Sequence, residues 1–580
     1  MTRRTVLFCQ LPIPPAGPSP IVGNVPLAAG YLILYARLHG LADAFDFQIL
    51  NPSIANYASD RRVVREILSR DPWMVGFSCY LWNIDRTLWI AAELKRQRPD
   101  LTIVLGGPEI TADNAWVFES GLVDYAVVGE GEQTFAALLG LLASGSDNSD
   151  TSIIPGLWRK SAPAIPLFRK PLPDLNEISS PYLSGILDAA DEKLLLLETI
   201  RGCIFKCKFC YYPKSYDALY FVAEEKIRAN LAHARRAGAT EVVLLDPTLN
   251  QRKDFDGFLQ LLAEENHDRQ FTYFGELRAE GIKPETARLL REANFTEVEI
   301  GLQSIDPAAQ TLMDRKNNLK AFERGVAAMI DAGIKVKVDL IIGLPGDTVA
   351  SVRRGFDYLA SSQLFTSTQV FNLAILPGTA FRQEAADLGL EFQPRPPYYV
   401  YETPTLRTED LYQLMEDAQE VFESEWDPFP EPKLEFDESD PAAPIECVRL
   451  ELDSDPVTLP PPEDRAQAMT LWFRADDFSR HQKQMEQTVE RLLDDCPHST
   501  LQIVLEPTGN RESIRPEALE SLLAISYRRP NYLDRYYSLA PQGLLGSKRI
   551  VIKLPDEIDA EELSDEDPWT ESVLDSATIC

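Results

Sequence analysis

The chain reads as α/β throughout, in three successive units, and three observations predict this. Apolar strands alternate with amphipathic helices from Thr5 to about Ala143, and again from Leu194 to Gly378. The strands are nearly continuous apolar runs, the pattern of parallel strands covered on both faces. Glycine-rich turns follow strand ends, which is where open α/β sheets hold their ligands. At 580 residues and 65.1 kDa the chain is too long for one core, so several domains are required.

In the first unit, residues 1–143, the strands are TVLFCQL, FQILNPS, MVGFSCY, TIVLGGPE and YAVVGEGE. Helical periodicity runs through Pro26–His39, Arg61–Arg70, Ile84–Arg98 and Glu132–Leu142. The predicted fold is an open, Rossmann-like parallel sheet with helices on both faces. No G-x-G-x-x-G follows the first strand, which argues against a dinucleotide site. Residues 144–191 turn to Ser, Asp, Pro and scattered basic residues and read as a linker.

The second unit, residues 192–395, opens on LLLLETIRGCIFKCKFCYY (Leu194–Tyr212). Its strands are Leu194–Thr199, Glu241–Leu245, Phe271–Glu276, Glu297–Gln303, Lys335–Ile342 and Gln369–Leu376, with helices such as Glu224–Ala237 and Leu319–Ala332 between them. Repeated β–α units of this length predict an open parallel barrel, a partial (β/α)6. Chemistry in such barrels gathers at the carboxyl ends of the strands. There the first strand delivers Cys203, Cys207 and Cys210 in C-x-x-x-C-x-x-C spacing, with no fourth thiol or histidine nearby. A structural zinc takes four protein ligands, whereas a [4Fe–4S] cluster on three thiolates keeps one iron free for another ligand. The cysteines alone leave zinc and cluster about even, and the barrel context favours the cluster.

The cysteine loop, with Phe209 between its last two cysteines, resembles the radical S-adenosylmethionine (SAM) superfamily over about 200 residues. So do FGELRAE (Phe274–Glu280), EVEIGLQSID (Glu297–Asp306), MDRKN (Met313–Asn317), KVDLIIGLPGDT (Lys337–Thr348) and AILPGT (Ala374–Thr379). The resemblance implies a [4Fe–4S] cluster on the three cysteines, with SAM on the fourth iron and contacted by Glu276, Gln303, Arg315 and Asp339. These residue types suit such contacts, because carboxylates accept from amino and hydroxyl groups and Arg315 pairs with a carboxylate. Asp246, in LLDPTLN, is a further candidate that reads equally well as a turn-former. An electron from a low-potential cluster would cleave a C–S bond of SAM to give a 5′-deoxyadenosyl radical.

In the first unit GFSCYLWN (Gly76–Asn83), VLGGPE (Val104–Glu109) and VVGEGE (Val127–Glu132) resemble the cobalamin-binding domain of one large group of radical SAM enzymes. The resemblance places cobalamin against Ser78, Tyr80, Leu81, Trp82 and Asn83, against Gly106, Gly107, Pro108 and Glu109, and against Gly129, Glu130 and Gly131. The segment Gln10–Asn24 completes the surround. The D-x-H-x-x-G motif of many cobalamin domains is missing, since His39 stands in an Arg37–Leu38–His39–Gly40 setting. A Tyr80–Asn83 side chain, water or nothing would then face the lower side of the cobalt.

The third unit, residues 396–580, mixes strands (Cys447–Leu452, Thr470–Phe473, Thr500–Leu505, Arg549–Leu554) with helices and reads as a small α/β domain. It carries no metal-ligand or nucleophile pattern; its expected role is substrate recognition or closing one side of the barrel. The net charge of −32 argues against nucleic acid or an anionic membrane as partner. Ten carboxylates between Asp556 and Asp575 read as a solvated tail. Eight cysteines without a disulfide framework, and no membrane-length apolar run, point to a reducing, cytoplasmic setting.

The two resemblances together imply a cobalamin-dependent radical SAM methyltransferase acting on an unactivated carbon. Its partners would be a small-molecule or peptide substrate and an external low-potential electron donor. Ring contraction, cyclisation or oxidation on the same cofactors is the alternative outcome. A non-catalytic cobalamin or SAM sensor is a third reading, disfavoured because a sensor needs no open iron.

Overall fold

The computed structural model describes residues 3–17, 20–119, 121–144, 154–160, 169–212, 216, 218–436, 443–454, 458–539, 546–554, 568–574 and 576–580. The acidic run Asp556–Asp575 lies mostly outside the described residues, as does part of the expected 144–191 linker.

In the first unit the strands are β1 (Arg4–Gln10), β2 (Phe45–Ile49), β3 (Met74–Ser78), β4 (Thr102–Gly106), β5 (Tyr125–Val127) and β6 (Leu157–Arg159), in the spatial order β2-β1-β3-β4-β5-β6. The first five are parallel and β6 is antiparallel. Alternate residues point to opposite faces and build two cores. Leu7, Cys9, Val75, Phe77, Ile103 and Leu105 pack on one side with Val63, Ile67, Ile90 and Leu94. Val6, Phe8, Met74, Val104 and Val127 pack on the other with Ile33, Phe135 and Leu138. The helices fall at Leu27–Leu38, Asp60–Ser69, Ile84–Gln97 and Glu132–Ala143, close to the periodicity read from sequence.

The barrel strands are Leu194–Leu197, Glu241–Leu244, Thr272–Phe274 with its continuation Glu276–Leu277, Glu297–Gln303, Lys335–Ile342 and Ser367–Asn372. Each lies parallel beside the next in chain order. Among the described residues no pairing joins the last strand to the first, so the barrel is open. Helix Thr408–Phe422 buries Leu411, Leu414, Met415, Ala418 and Phe422 in the barrel core, so this unit runs beyond the expected boundary at residue 395.

The 144–191 stretch is not simply a linker. Leu157–Arg159 is β6, and Leu172, Leu175, Ile178, Tyr182 and Ala189 are buried in the barrel core. Spaced apolar side chains in an irregular backbone pack without periodicity, which is why the sequence pattern is silent there.

The C-terminal unit is a five-stranded, fully parallel sheet: Ile445–Glu451, Arg465–Ala475, Thr500–Pro507, Lys548–Ile552 and Thr578–Ile579, in chain order. Its main seat is the first unit. An antiparallel bridge joins Ala58 to Ala466, Ser59 Oγ donates to Pro462 O at 2.6 Å, and Thr500 Oγ1 donates to Pro15 O at 2.6 Å. Beneath this contact lies a fully buried ion pair, Arg86 Nε to Asp60 Oδ1 at 2.7 Å. A second, smaller contact reaches the barrel extension, where Gln393 Nε2 donates to Ser538 Oγ at 2.9 Å.

The first unit and the barrel are joined by polar contacts at the ends of their strands. Gly378 N donates to the Asp113 carboxylate at 2.9 and 3.1 Å. Tyr398 Oη donates to Glu109 Oε2 at 2.6 Å, and Asn114 Nδ2 donates to the same oxygen at 3.0 Å. Glu109 is 2% exposed, and its burial pushes the carboxyl up to about 7. A carboxyl raised in the folded state binds its proton more tightly there than in the unfolded chain. Its contribution is therefore complete below the ordinary carboxylate value and is lost as pH rises toward 7. Glu109→Gln keeps an acceptor oxygen and removes the titration. Its unfolding temperature relative to wild type should rise between pH 5 and pH 8; a pH-independent difference would discount the buried carboxyl.

Candidate functional site

The cysteine loop is fixed at its root by one carboxylate. Asp246, at the end of the second barrel strand, accepts from Thr199 N at 2.7 Å, from Ile200 N at 2.8 Å and from Thr199 Oγ1. Its role is therefore the structural one, holding the end of the first strand where the loop begins. Further out, Gln251 bonds Ile204 N and Gly202 O at 3.1 Å each, and Arg278 lies 4.2 Å over the Phe205 ring. Lys208 N donates to Met313 O at 3.0 Å, and Lys208 Nζ pairs with Glu384 at 2.7 Å.

Cys207 is buried, while Cys203 and Cys210 are half-buried. Burial raises the Cys203 thiol and pushes Cys210 up to about 12, with the neighbouring cysteines adding to the Cys210 shift. Thiolates in such a place form when a metal draws off their protons. Among the described residues no three His, Cys, Asp or Glu side chains converge on a single-ion position. A cubane spreads its three thiolates over three different irons.

The SAM candidates come together around this loop. Glu276, Gly301 and Asp339 lie on neighbouring strands in register, Glu276 opposite Glu299 and Gly301 opposite Asp339. Arg315 Nη1 approaches Cys207 Sγ at 3.8 Å, and its Nη2 donates to Gly301 O. A side chain at residue 301 would displace the end of the Gln303 side chain, so glycine leaves room for Gln303 to lie where it does. Gln303 itself takes a left-handed backbone, φ 67°, a strained setting for a side-chain-bearing residue.

Three buried polar atoms in this group lack any partner: Gln303 Oε1, Arg315 Nε and Asp339 Oδ1. Buried polar groups are normally paired, and orphans gathered beside the cysteine loop fit a polar ligand there. Burial, then Glu299, push the 6%-exposed Asp339 carboxyl well above its ordinary range. Glu276 is pushed up to about 7 by desolvation and by Glu299. Lys337, paired with Glu299 at 3.0 Å, was not singled out from sequence and is the cation that opposes both shifts.

Facing this end of the barrel is a cavity of about 620 Å³. Gln10, Ser78, Tyr80, Trp82, Gly106, Gly107, Pro108, Gly129, Glu130 and Gly131 line it from the first unit. Leu196, Glu198, Arg201, Tyr212, Tyr216 and Leu245 line it from the barrel. Its inner end is apolar, walled by Phe8, Leu32, Val104, Val127 and Phe135. Gly107 sits at φ 108°, and a Cβ there would meet Cys79 O at 2.5 Å. Gly131 is less constrained, its nearest neighbour being the Leu32 side-chain tip, Cδ2, at 2.9 Å from the same position. Gly106, Gly107, Gly129 and Gly131 thus present bare backbone on the cavity wall. Gln10 Oε1 is a further buried orphan on this wall.

Three residues expected at the cobalamin do not line the cavity. Asn83 is buried and bonds Tyr80 N, Leu11 O and Ser78 O, holding the loop in shape. Glu109 faces Tyr398 in the joint between the two units. Leu81 packs in the cluster of Tyr532, Leu533 and Tyr537 from the C-terminal unit. Tyr80 and Trp82 remain at the cavity, stacked at 4.6 Å.

The barrel side of the cavity was missed from sequence. Tyr212 and Tyr216 stand just after the cysteines, and Arg201 two residues before them. The available signal was the Glu198–Arg201 spacing ahead of Cys203, legible only once Glu130 and Glu132 are seen to face it.

Comparison with known proteins agrees with this geometry. The family model described as "Radical SAM superfamily" matches residues 197–359, and the B12 binding domain matches residues 26–139. The cobalamin-dependent radical SAM methyltransferase TokK of Streptomyces tokunonensis is 27% identical over 64% of this chain and 57% of its own length. The 2-(S-pantetheinyl)-carbapenam-3-carboxylate methyltransferase of Streptantibioticus cattleyicolor is 26% identical over 68% of this chain and 60% of its own. The chain thus spans less than two thirds of either relative. In fold it is similar to the radical SAM methyltransferase TsrM of Kitasatospora setae, with a TM-score of 0.54 and 20% identity over 66% of this chain and 76% of that one.

The cofactors of these domains are a [4Fe–4S] cluster, SAM and cobalamin, and the orphaned atoms and the glycine-edged cavity fit them. The chain thus carries a B12-binding domain, matched over residues 26–139, ahead of a domain of the radical SAM superfamily, matched over residues 197–359.

Proposed function

We propose that this protein is a cobalamin-dependent radical SAM methyltransferase that methylates an unactivated carbon. The observation that carries the reading is the single cavity walled on one side by the glycine loops and on the other by the first barrel strand and the residues flanking the cysteines. When bound there, the cluster and SAM supply hydrogen-atom abstraction and cobalamin supplies the methyl group.

The chain's own residues position and shield. Cys203, Cys207 and Cys210 hold the cluster and leave one iron for SAM. Arg315, with Nε unpartnered, pairs with the methionine carboxylate, and Glu276, Gln303 and Asp339 take the amino group and ribose hydroxyls. Gly107, Gly129 and Gly131 bring bare backbone to the corrin, and Phe8, Val104 and Phe135 receive its nucleotide tail. Tyr80, Trp82, Tyr212 and Tyr216 surround the space between the cofactors and exclude water from it. Glu130, Glu132 and Glu198 outnumber Arg201 on the cavity wall, which suits a neutral or basic small molecule or peptide. An external low-potential donor delivers the electron, in a reducing, cytoplasmic compartment; no described helix is long and apolar enough to cross a membrane.

Purified without oxygen, reconstituted with iron, sulfide and cobalamin, and given SAM, substrate and a low-potential reductant, the protein should form both 5′-deoxyadenosine and S-adenosylhomocysteine. Deoxyadenosine without the second product would sink methyl transfer and keep the radical chemistry. Cys207→Ala should reduce deoxyadenosine to background while the cobalamin absorbance spectrum survives; loss of both would break the separation into two sites. Gly107→Ala should destabilise the fold by about 1–3 kcal/mol and weaken cobalamin retention on a desalting column. Full retention would place the corrin elsewhere.

A further inference from the structure

Arg201 lines the cavity from the barrel side, and its guanidinium holds three segments. Nε and Nη2 grip both oxygens of Glu198 at 2.9 Å each. Nη1 reaches Glu130 Oε1 at 2.8 Å and Glu132 Oε1 at 3.0 Å. The second Glu130 oxygen accepts from Leu172 N at 2.5 Å, which adds the segment between the two units. The Arg201 side chain is 10% exposed and those of Glu130 and Glu132 are 8% and 9% exposed, so the cluster is nearly dry. Glu198 is just past the first barrel strand, Glu130 is in the glycine loop, and Glu132 opens helix Glu132–Ala143. Cys203 follows two residues after Arg201, across Gly202 at φ 99°.

Three carboxylates against one cation, Glu130 and Glu132 buried and Glu198 20% exposed, form a lopsided cluster. Opened, it leaves carboxylates facing one another in a low-dielectric site, so the bridged arrangement is the one that closes the cavity from both sides. A lysine carries the charge but cannot make the two-pronged grip and reach two further carboxylates at once. We propose that Arg201 is a positioning residue that couples the two cofactor sites, so that a ligand on the Gly129–Gly131 loop and a ligand on the cysteine loop each favour the bridged arrangement and strengthen the other's binding. The coupling is reciprocal by linkage, and it rests on the cobalamin and SAM reading above.

The test uses the full chain with its cluster reconstituted. Hydroxocobalamin affinity is titrated by absorbance with and without SAM, and SAM affinity by the cluster's EPR signal with and without hydroxocobalamin. In wild type each should tighten the other roughly fivefold or more. Arg201→Lys should still bind both while the coupling ratio falls toward one, and Glu132→Gln should lower it partway. A merely structural role would weaken each ligand alone and leave the ratio unchanged, which overturns the proposal, as does a wild type that binds both without coupling. If Arg201→Lys does not fold, Glu132→Gln decides by the same ratio. A wild type that takes up no hydroxocobalamin defeats the reading of the cavity itself and is told apart from loss of coupling.

Discussion

Parallel strands release all their ligand-binding loops at one end of the sheet, and this molecule turns two such ends toward each other. Everything at the site depends on that arrangement being kept. Part of the joint is apolar and lies behind the open face: Tyr35 and Ala136 of the first unit belong to the barrel's core cluster, with Leu27, Tyr31 and Leu34 packed against it. Around the rim the joint is made of directed polar contacts: Asp113 to Gly378, Glu109 to Tyr398, and the guanidinium of Arg201 among its carboxylates. Such contacts fix orientation while leaving a void between them.

The same sparing use of polar groups appears inside the barrel. Asp246 has every oxygen engaged and serves the backbone, whereas Asp339, Gln303 and Arg315 each keep an atom without a partner. Both kinds of group are buried, and both are driven toward the uncharged state by desolvation where they are carboxyls. What separates scaffold from ligand site is therefore satisfaction and not burial. The orphaned atoms cost stability in the empty protein, and ligands with matching hydrogen-bonding groups offset that cost.

How much was legible in the sequence follows from the range of each interaction. Strand and helix alternation is local, so the sheet, the barrel and the helices near residues 27–38 and 132–143 could be read directly. The cysteines and the four SAM candidates stand in short local motifs, so the sequence alone could nominate them. Residues whose roles depend on distant partners were not. Glu109 looked like part of a cofactor loop, but its partner Tyr398 lies 289 residues away. Leu81 sat in the same loop as Tyr80, and its packing surface came from Tyr532, Leu533 and Tyr537. Leu172, Leu175 and Ile178 have no periodicity to betray that they are core.

The seat of the C-terminal sheet on the first unit carries a consequence for synthesis on the ribosome. Ser59 meets Pro462, 403 residues later, and Arg61 donates to Asp495 O across 434. The face of the first unit around Ala58 therefore emerges hundreds of residues before the strand that covers it. At translation rates of about 5–20 residues per second, that face waits for tens of seconds in the open. A strand edge and an ion pair left uncovered for so long make nascent-chain protection part of how this molecule reaches its native state.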